Sequence, residues 1–446
     1  MTEPQITVVG AGPVGALIAV MLAARGRRVR LLERRSDPRL APPERGRSIN
    51  LALAARGLRA LEQANLRASV SPQLTVMRGR MLHDERGATS FLRYGQDEHE
   101  VIYSIARDRL NLELIAAAAA HPGIELKFNQ RCTDVDPHRQ CLRLREEGSG
   151  GEREESFELL LAADGAGSAV RTALVRRGLT SAREEPLAHD YKEFVIPPAG
   201  DGGYRLEPHA LHIWPRGGHM LIALPNADGS FTATLFLPRL GTPGFDSLGS
   251  GVAVRAFFQQ QFGDIAALIP DLEQQFAHHP QGRLATLYCE RWHAQRVLLL
   301  GDAAHAIVPF HGQGLNCGFE DCVLLDELLA IATDTPTALA EFERRRRPDT
   351  DAIAAMALEN YVEMRDAVRD PGFVRRRDLA AQLERTFPGR FIPRYSMVMF
   401  HPEIPYAAAR RRGALQEWVL DELLAHPPTP GDERIAGEVL LQAAGL

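Results

Sequence analysis

An apolar run, ITVV at 6–9, leads into the glycine motif GAGPVG at 10–15 and then into ALIAVMLAARG at 16–26. Four apolar and β-branched residues bounded by glycine read as a buried strand, and the segment after the motif reads as an apolar helix that Gly26 ends. VRLLERR at 29–35 reads as a second strand. Gly10, Gly12 and Gly15 have GxGxxG spacing, and Glu33 stands at the end of the second strand. Each position meets a demand of a dinucleotide. Gly10 permits the tight turn, Gly12 lets backbone approach a pyrophosphate, and Gly15 lets the helix lie close to the strand. The helix start offers free N–H groups to the anion, and Glu33 can accept hydrogen bonds from a ribose. The motif alone does not choose between NAD and FAD.

Length and composition set the frame for this unit. A chain of 446 residues, 45% hydrophobic, can bury a large core and suggests two or three domains. A formal charge of -5 gives no electrostatic case for a nucleic-acid partner. The five cysteines are odd in number and lack CxxC pairing, which favours reduced thiols and a cytoplasmic setting. The first residues enter an apolar run without a basic region, so no signal peptide is expected. No uninterrupted stretch of about 18 apolar residues is present, so no membrane anchor is expected.

Further along, ERGRSINLALAARGLRALEQANL (44–66) reads as a loop leading into an amphipathic helix, and RDRLNLELIAAAAAHPG (107–123) as another helix. REEGSGGEREES (145–156) reads as a solvated hairpin loop. FELLLAADGAGSAVR (157–171) is a buried strand, a sharp turn at Asp164-Gly165 and a helix start. From about 185 to 290 the pattern alternates, as in ALHIWPRGGHMLIALPN and SFTATLFLP, which predicts a mostly antiparallel sheet. RVLLLGDAAH (296–305) returns to the buried-strand pattern, and helices dominate from about 316, apart from FIPRYSMVMF (391–400). FERRRRP (342–348) reads as a solvated helix end. The fold class is therefore mixed α/β and α+β. A Rossmann-like dinucleotide domain (1–180 with 285–330) carries an inserted antiparallel-sheet domain (181–284, with 75–105 a candidate addition) and a helical C-terminal region (331–446).

GDAAHAIVPFHGQGLNCGFED (301–321) concentrates histidines, acids and a cysteine, which raises the question of a metal. Pro309 prevents a continuous helix between His305 and His311, no HExxH occurs, and Cys317 and Cys322 have no paired partners, so no metal is expected. A larger ligand fits better. The pattern predicts a strand ending at Asp302, a loop containing VPFHGQG, and a helix beginning near Gly314 that directs its positive end at an electron-rich ring. Asp302 can accept hydrogen bonds from a polyol, and Gly312 and Gly314 leave room for a flat heterocycle. These are the demands of a flavin.

GAGPVG with Glu33, DGAGSAVR, and GDAAHAIVPFHGQGLN, in this order between 10 and 316, resemble the three fingerprints of the single-component flavoprotein aromatic monooxygenases. RGRSINLALAARG (45–57), MRGRM (77–81), LHIWP (211–215), LENYVEM (358–364) and FIPRYSMVMF are similar, within that group, to the kynurenine 3-monooxygenase family, over residues 6 to about 406. The resemblance implies FAD as cofactor, with Gly10, Gly12, Val14 and Gly15 at the pyrophosphate, Glu33 and Arg34 at the ribose, and Ala52 and Arg107 as further contacts. It also places Cys132 near the adenine, Asp302 at the ribityl and pyrophosphate region, and Leu315 and Asn316 at the pyrimidine edge, with Gly314 among the cofactor contacts. NADPH and O2 are the implied co-substrates, with Asp164-Gly165 the candidate docking point for NADPH.

For the substrate, L-kynurenine, the resemblance implies Arg80, Tyr94, Asn360 and Tyr395 around its polar end. Ile102, Leu211, Met220, Ile222, Leu224, Phe236 and Met364 form the apolar ring pocket, with Phe310, His311 and Gln313 in the loop over the flavin. Taken singly, each of these also reads as ordinary core or surface. The implied reaction is hydroxylation to 3-hydroxy-L-kynurenine through a flavin C4a-hydroperoxide, a step of tryptophan catabolism. No catalytic group beyond the flavin is implied, because an aniline ring already donates electrons and needs no base. The C-terminus departs from membrane-anchored members, and pairing into a homodimer stays open. Two other readings stand beside this one, a hydroxylase of a phenolic acid and a non-catalytic binding protein on the same fold.

Overall fold

The computed structural model describes residues 6–40, 50–365, 371–429 and 431–446. The N-terminal residues 1–5 and the 45–49 part of the RGRSINLALAARG motif lie outside the described residues, as do 366–368 of the helix read at 358–368.

Ile6–Val9 is a strand with every residue buried, paired in parallel with Val29–Leu32 on one side and Leu159–Ala162 on the other. The sheet around it runs His293–Ala294, Val297–Leu299, Leu159–Ala162, Ile6–Val9, Val29–Leu32, Ile124–Lys127, parallel except for the first pair. Strands buried on both faces need continuous apolar sequence, which is what ITVV and LLLA supply. Helix Pro13–Ala24 follows the glycine turn and is buried along most of its length. Gly10 has φ +98°, and a Cβ on it would stand 2.5 Å from the Ala163 carbonyl oxygen. A Cβ on Gly15 would stand 1.9 Å from the Gly10 carbonyl oxygen, so the close approach of helix and strand admits glycine alone. At Gly12 a Cβ would meet nothing within 4 Å, which leaves open space at the helix N-terminus.

The alternating sequence forms a seven-stranded sheet in the order Gly282–Cys289, Ala182–Ile196, Phe231–Pro238, Met220–Pro225, Ala210–Pro215, Gly79–His83, Thr89–Arg93. All its pairs are antiparallel except Ala210–Pro215 with Gly79–His83. Three helices that the alternation did not reveal, Gly251–Gln261, Gly263–Ala266 and Leu272–His278, cover one face. Under them Trp214, Phe194, Phe231, Phe258 and Phe262 form a dry aromatic core with Leu221 and Ala223. Ile222 and Leu224 point the other way, as period-two alternation requires. The 145–156 segment is the hairpin read from sequence, between Cys141–Glu146 and Glu152–Ser156.

Three expectations change. The strand before the GDAAH segment ends at Leu299, and Asp302 opens a one-turn helix, Asp302–His305, because Gly301 at φ +55° turns the chain first. FIPRYSMVMF contains a helix, Arg394–Phe400, started after Pro393, with Met397, Val398 and Met399 buried. FERRRRP is the interior of a 31-residue helix, Thr335–Arg365, and not a solvated end. Arg346 in that run is 5% exposed, because it turns inward to meet Asp321 and Glu320.

Candidate active site

A cavity opens where the helix-free face of the seven-stranded sheet meets the glycine turn, the 300–315 loop and the C-terminal helices. Gly12, Val14, Ala163, Gly165, Leu300 and Asp302 line its end beneath the parallel sheet. Among the described residues no side chain caps helix Pro13–Ala24 or the 18-residue helix Gly314–Ile331, so their first N–H groups are free to face an anion or an electron-rich edge. Asp164 turns one carboxylate oxygen to the backbone N–H groups of Ala169 and Val170, and the other is buried without a partner among the described residues. Burial raises its pKa against those bonds. Gly312 has φ +65° and comes against the Ala52 side chain. Open backbone at Gly12, free helix ends and an orphaned acid suit a dinucleotide and a flat ring, so the residues present fit FAD.

The other end of the cavity is built around Arg80. Strand Gly79–His83 places it opposite Leu211, and only 11% of its side chain is exposed. Its guanidinium lies 4.6 Å from the Tyr395 ring centre and 5.9 Å from that of Tyr94, and the two rings are near parallel at 5.7 Å. Burial works against its charge, but Tyr395, Tyr94 and Glu363 outweigh it and raise the pKa. Arg80 Nε has no acceptor among the described residues, and the Glu363 carboxylate stands 3.7 Å from its terminal nitrogen. His311 stacks on Tyr395 at 5.3 Å, and burial pushes it down to about 3, so it is neutral at working pH. Between the two ends Ile102, Leu211, Ile222, Leu224, Phe236, Phe310 and Met364 make an apolar chamber.

Comparison with known proteins decides the family. Residues 3–185 and 266–357 match the FAD binding domain family. Kynurenine 3-monooxygenase of Stenotrophomonas maltophilia is 48% identical over 93% of this chain and 91% of its own length, and that of Myxococcus xanthus 46% over 96% and 93%. The chain belongs to the FAD-binding kynurenine 3-monooxygenase family. Among solved structures, 2-methyl-3-hydroxypyridine-5-carboxylic acid oxygenase aligns over 84% of this chain and 96% of its own with a TM-score of 0.66. PqsL of P. aeruginosa in complex with 2-aminobenzoylacetate covers 84% and 100% with 0.67. At 20% identity each, these two share the fold.

For a member of this family, the cavity gathers most residues read from sequence but not all. Arg80, Tyr94 and Tyr395 line it with the apolar set, and so do Gly12, Val14, Ala52, Arg107, Asp302, Gly314 and Leu315. Asn360, Met220 and Gln313 stand one layer back. Asn360 Nδ2 donates to the Phe310 carbonyl at 2.6 Å, Met220 packs with Phe236 and Phe310, and Gln313 Nε2 donates to Met399 Sδ at 3.0 Å. The Asn316 side chain is spent on protein. Its Oδ1 accepts from Ala54 and Gly57 N–H, and its Nδ2 donates to the Ala52 and Gly312 carbonyls, so any cofactor contact falls to its backbone.

Glu33 is 4% exposed, with Oε2 on the Ala11 N–H and Oε1 on Arg35, whose charge lowers its pKa against the penalty of burial. Arg34 is exposed at the same strand end, and Cys132 is buried in strand Gln130–Asp136, its thiol pushed up to about 12 by burial.

Sequence reasoning missed Asn50, Met77, Tyr191, Thr234, Ile307 and Met399 on the cavity wall and Glu363 beside Arg80. Strand alternation carried a signal for Tyr191 and Thr234, which share the face of Phe236 and Ile222. Position 363 stands three residues after Asn360 on the same helix face, a spacing that could have drawn it in.

The donor atoms of His305, Cys317 and Asp321 do converge, within 4.8 Å of one another. Their partners make this a buried ion network. Asp321 accepts from the Gly301 N–H at 3.0 Å and from Arg346 Nε at 2.8 Å, and bonds His305 Nε2 at 2.6 Å. Arg346 also donates to Cys317 Sγ, putting a fixed cation where a metal would sit.

Proposed function

We propose that this protein hydroxylates L-kynurenine to 3-hydroxy-L-kynurenine, consuming NADPH and O2. The observation that carries the reading is the pairing of Arg80, flanked by Tyr94, Tyr395 and Glu363, with a chamber lined by apolar and aromatic side chains. FAD, when bound, supplies reduction by NADPH and activation of oxygen. In this reading the Arg80 fork, with its unpaired Nε–H, grips the substrate carboxylate, and the two phenols donate beside it. Glu363 takes the α-ammonium. Ile102, Leu211, Ile222, Leu224, Phe236 and Met364 hold the aniline ring and keep water from the reacting carbon. Asn360 and Gln313 act through Phe310 and Met399, and Met220 through Phe236. Gly12, Val14 and the start of helix Gly314–Ile331 hold the cofactor's phosphates and ring edge, with Glu33 and Arg34 at the ribose. His311, neutral, is a packing surface for Tyr395 and moves no proton.

Among the described residues no helix is long and apolar enough to cross a membrane. A cytoplasmic setting is part of the reading, supported by five free cysteines, four of them buried. The domain division read from sequence is proposed with it, the parallel sheet holding cofactor and the seven-stranded sheet facing substrate.

The experiment is NADPH oxidation by FAD-loaded protein with L-kynurenine, with 4-hydroxybenzoate, and with neither. Stimulation by L-kynurenine alone, with a product one oxygen heavier, is expected. Stimulation by the phenolic acid alone would overturn the substrate, and no stimulation by either would overturn the reaction.

A further inference from the structure

The short helix Arg394–Phe400 brings Tyr395 and Met399 to the cavity wall. A seven-residue helix leaves its last carbonyls without helical partners. One buried guanidinium takes two of them, together with two carbonyls of the segment that follows. Arg56 Nε donates to the Val398 carbonyl at 2.9 Å, and one terminal nitrogen donates to the carbonyls of Ile404 at 2.5 Å, His401 at 3.2 Å and Met397 at 3.4 Å. The other terminal nitrogen donates to Glu320 Oε1 at 2.6 Å. Only 1% of the Arg56 side chain is exposed, and its guanidinium lies 4.0 Å from the centre of the Tyr406 ring. The Tyr406 hydroxyl donates to Gln313 Oε1 at 2.7 Å, and Gln313 holds Met399. Arg56 itself is not on the cavity wall.

We propose that Arg56 is a positioning residue. It sets the helix that carries Tyr395 and Met399 against the cavity, and thereby governs substrate affinity and exclusion of water without touching substrate. This rests on the functional reading above. The physical case is geometric. A planar fork with donors on three nitrogens reaches four carbonyls and a carboxylate at once, whereas an ammonium is a point charge that cannot span them. The positive charge also faces the negative end of the helix. Without the fork, the 397–404 carbonyls lose their fixed partner while Glu320 keeps Arg346 at 3.2 Å. The expected result is a loosened wall and not a collapsed core.

The test uses FAD-loaded R56K and R56M. L-kynurenine is titrated while NADPH loss and hydrogen peroxide are followed, and amide hydrogen exchange is measured without substrate. The proposal expects KM for L-kynurenine to rise about tenfold or more with kcat changed less than about threefold. A larger share of NADPH should end as peroxide, and exchange should quicken over 394–404 with FAD content unchanged. R56K should fall between wild type and R56M. Because it keeps a charge opposite Glu320, it carries the test should R56M not fold. Unchanged KM and coupling, unchanged exchange over 394–404, or acceleration spread over the whole chain would each overturn the proposal. If wild-type protein ignores L-kynurenine, the functional reading fails, and exchange over 394–404 still decides whether Arg56 fixes the helix.

Discussion

At the scale of single residues, two buried charges have opposite consequences. Arg80 is charged and flanked by partners that favour its charge, yet Nε has no acceptor among the described residues, which leaves it open to the carboxylate of the proposed substrate. Replacing it with methionine removes charge-assisted hydrogen bonds worth about 1.5–3 kcal/mol each. R80M is therefore expected to raise KM for L-kynurenine by roughly 10–150-fold, and steady-state kinetics would show it; an unchanged KM would remove Arg80 from the site. Glu193 is the reverse case. It is 6% exposed, and burial pushes its carboxyl up to about 7 although Arg107 pulls it back. Its folded pKa exceeds the ordinary 4.5, so the folded chain keeps a proton that the unfolded chain releases, and stability falls as pH rises through about 4.5 to 7. Glu193→Gln is expected to add about 1–3 kcal/mol at pH 8 and little at pH 5. Thermal melts at the two values would check this, and equal changes at both would contradict it.

At the scale of elements, the glycine turn is the tightest constraint, and it was also the most legible in sequence. A run of buried strand, three glycines at fixed spacing and an apolar helix leave little else to form, and the 1.9 Å clearance at Gly15 explains why. Gly15→Ala is expected to destabilise the chain by several kcal/mol, on the order of an overpacked core, and to abolish retention of FAD. A variant that keeps FAD and melts like wild type would contradict the close approach.

The strands of the seven-stranded sheet were legible from alternation. The helices over it were not, because their apolar residues serve a separate aromatic core and show no link to the site. FERRRRP misled for a related reason. A run of four arginines reads as solvated, and only the fold reveals that Asp321 and Glu320, about 25 residues earlier, draw Arg346 inward. Arg394–Phe400 was missed because its partners are distant in sequence, Arg56 among them more than 300 positions away. The cavity residues were found through family likeness more than from residue chemistry. Arg80 taken alone is an ordinary arginine, and Glu363 was overlooked.

At the scale of the whole molecule, the site exists only where three regions meet. The glycine turn and the helix after it contribute Gly12 and Val14, the seven-stranded sheet Arg80 and Phe236, and the C-terminal helices Met364 and Tyr395. A ligand touching all three should stabilise them together. L-kynurenine at about 100 times its Kd is expected to add about 2.7 kcal/mol to the folded state, seen as a higher melting temperature in wild type and lost in R80M. In the proposed reaction one atom of O2 passes to the kynurenine ring in this cavity. The most direct measurement is the mass of the product formed from L-kynurenine, NADPH and isotopically labelled ¹⁸O2. Hydroxykynurenine carrying one ¹⁸O atom is the predicted result; NADPH consumed with all labelled oxygen recovered as peroxide or water, and kynurenine unchanged, would contradict it.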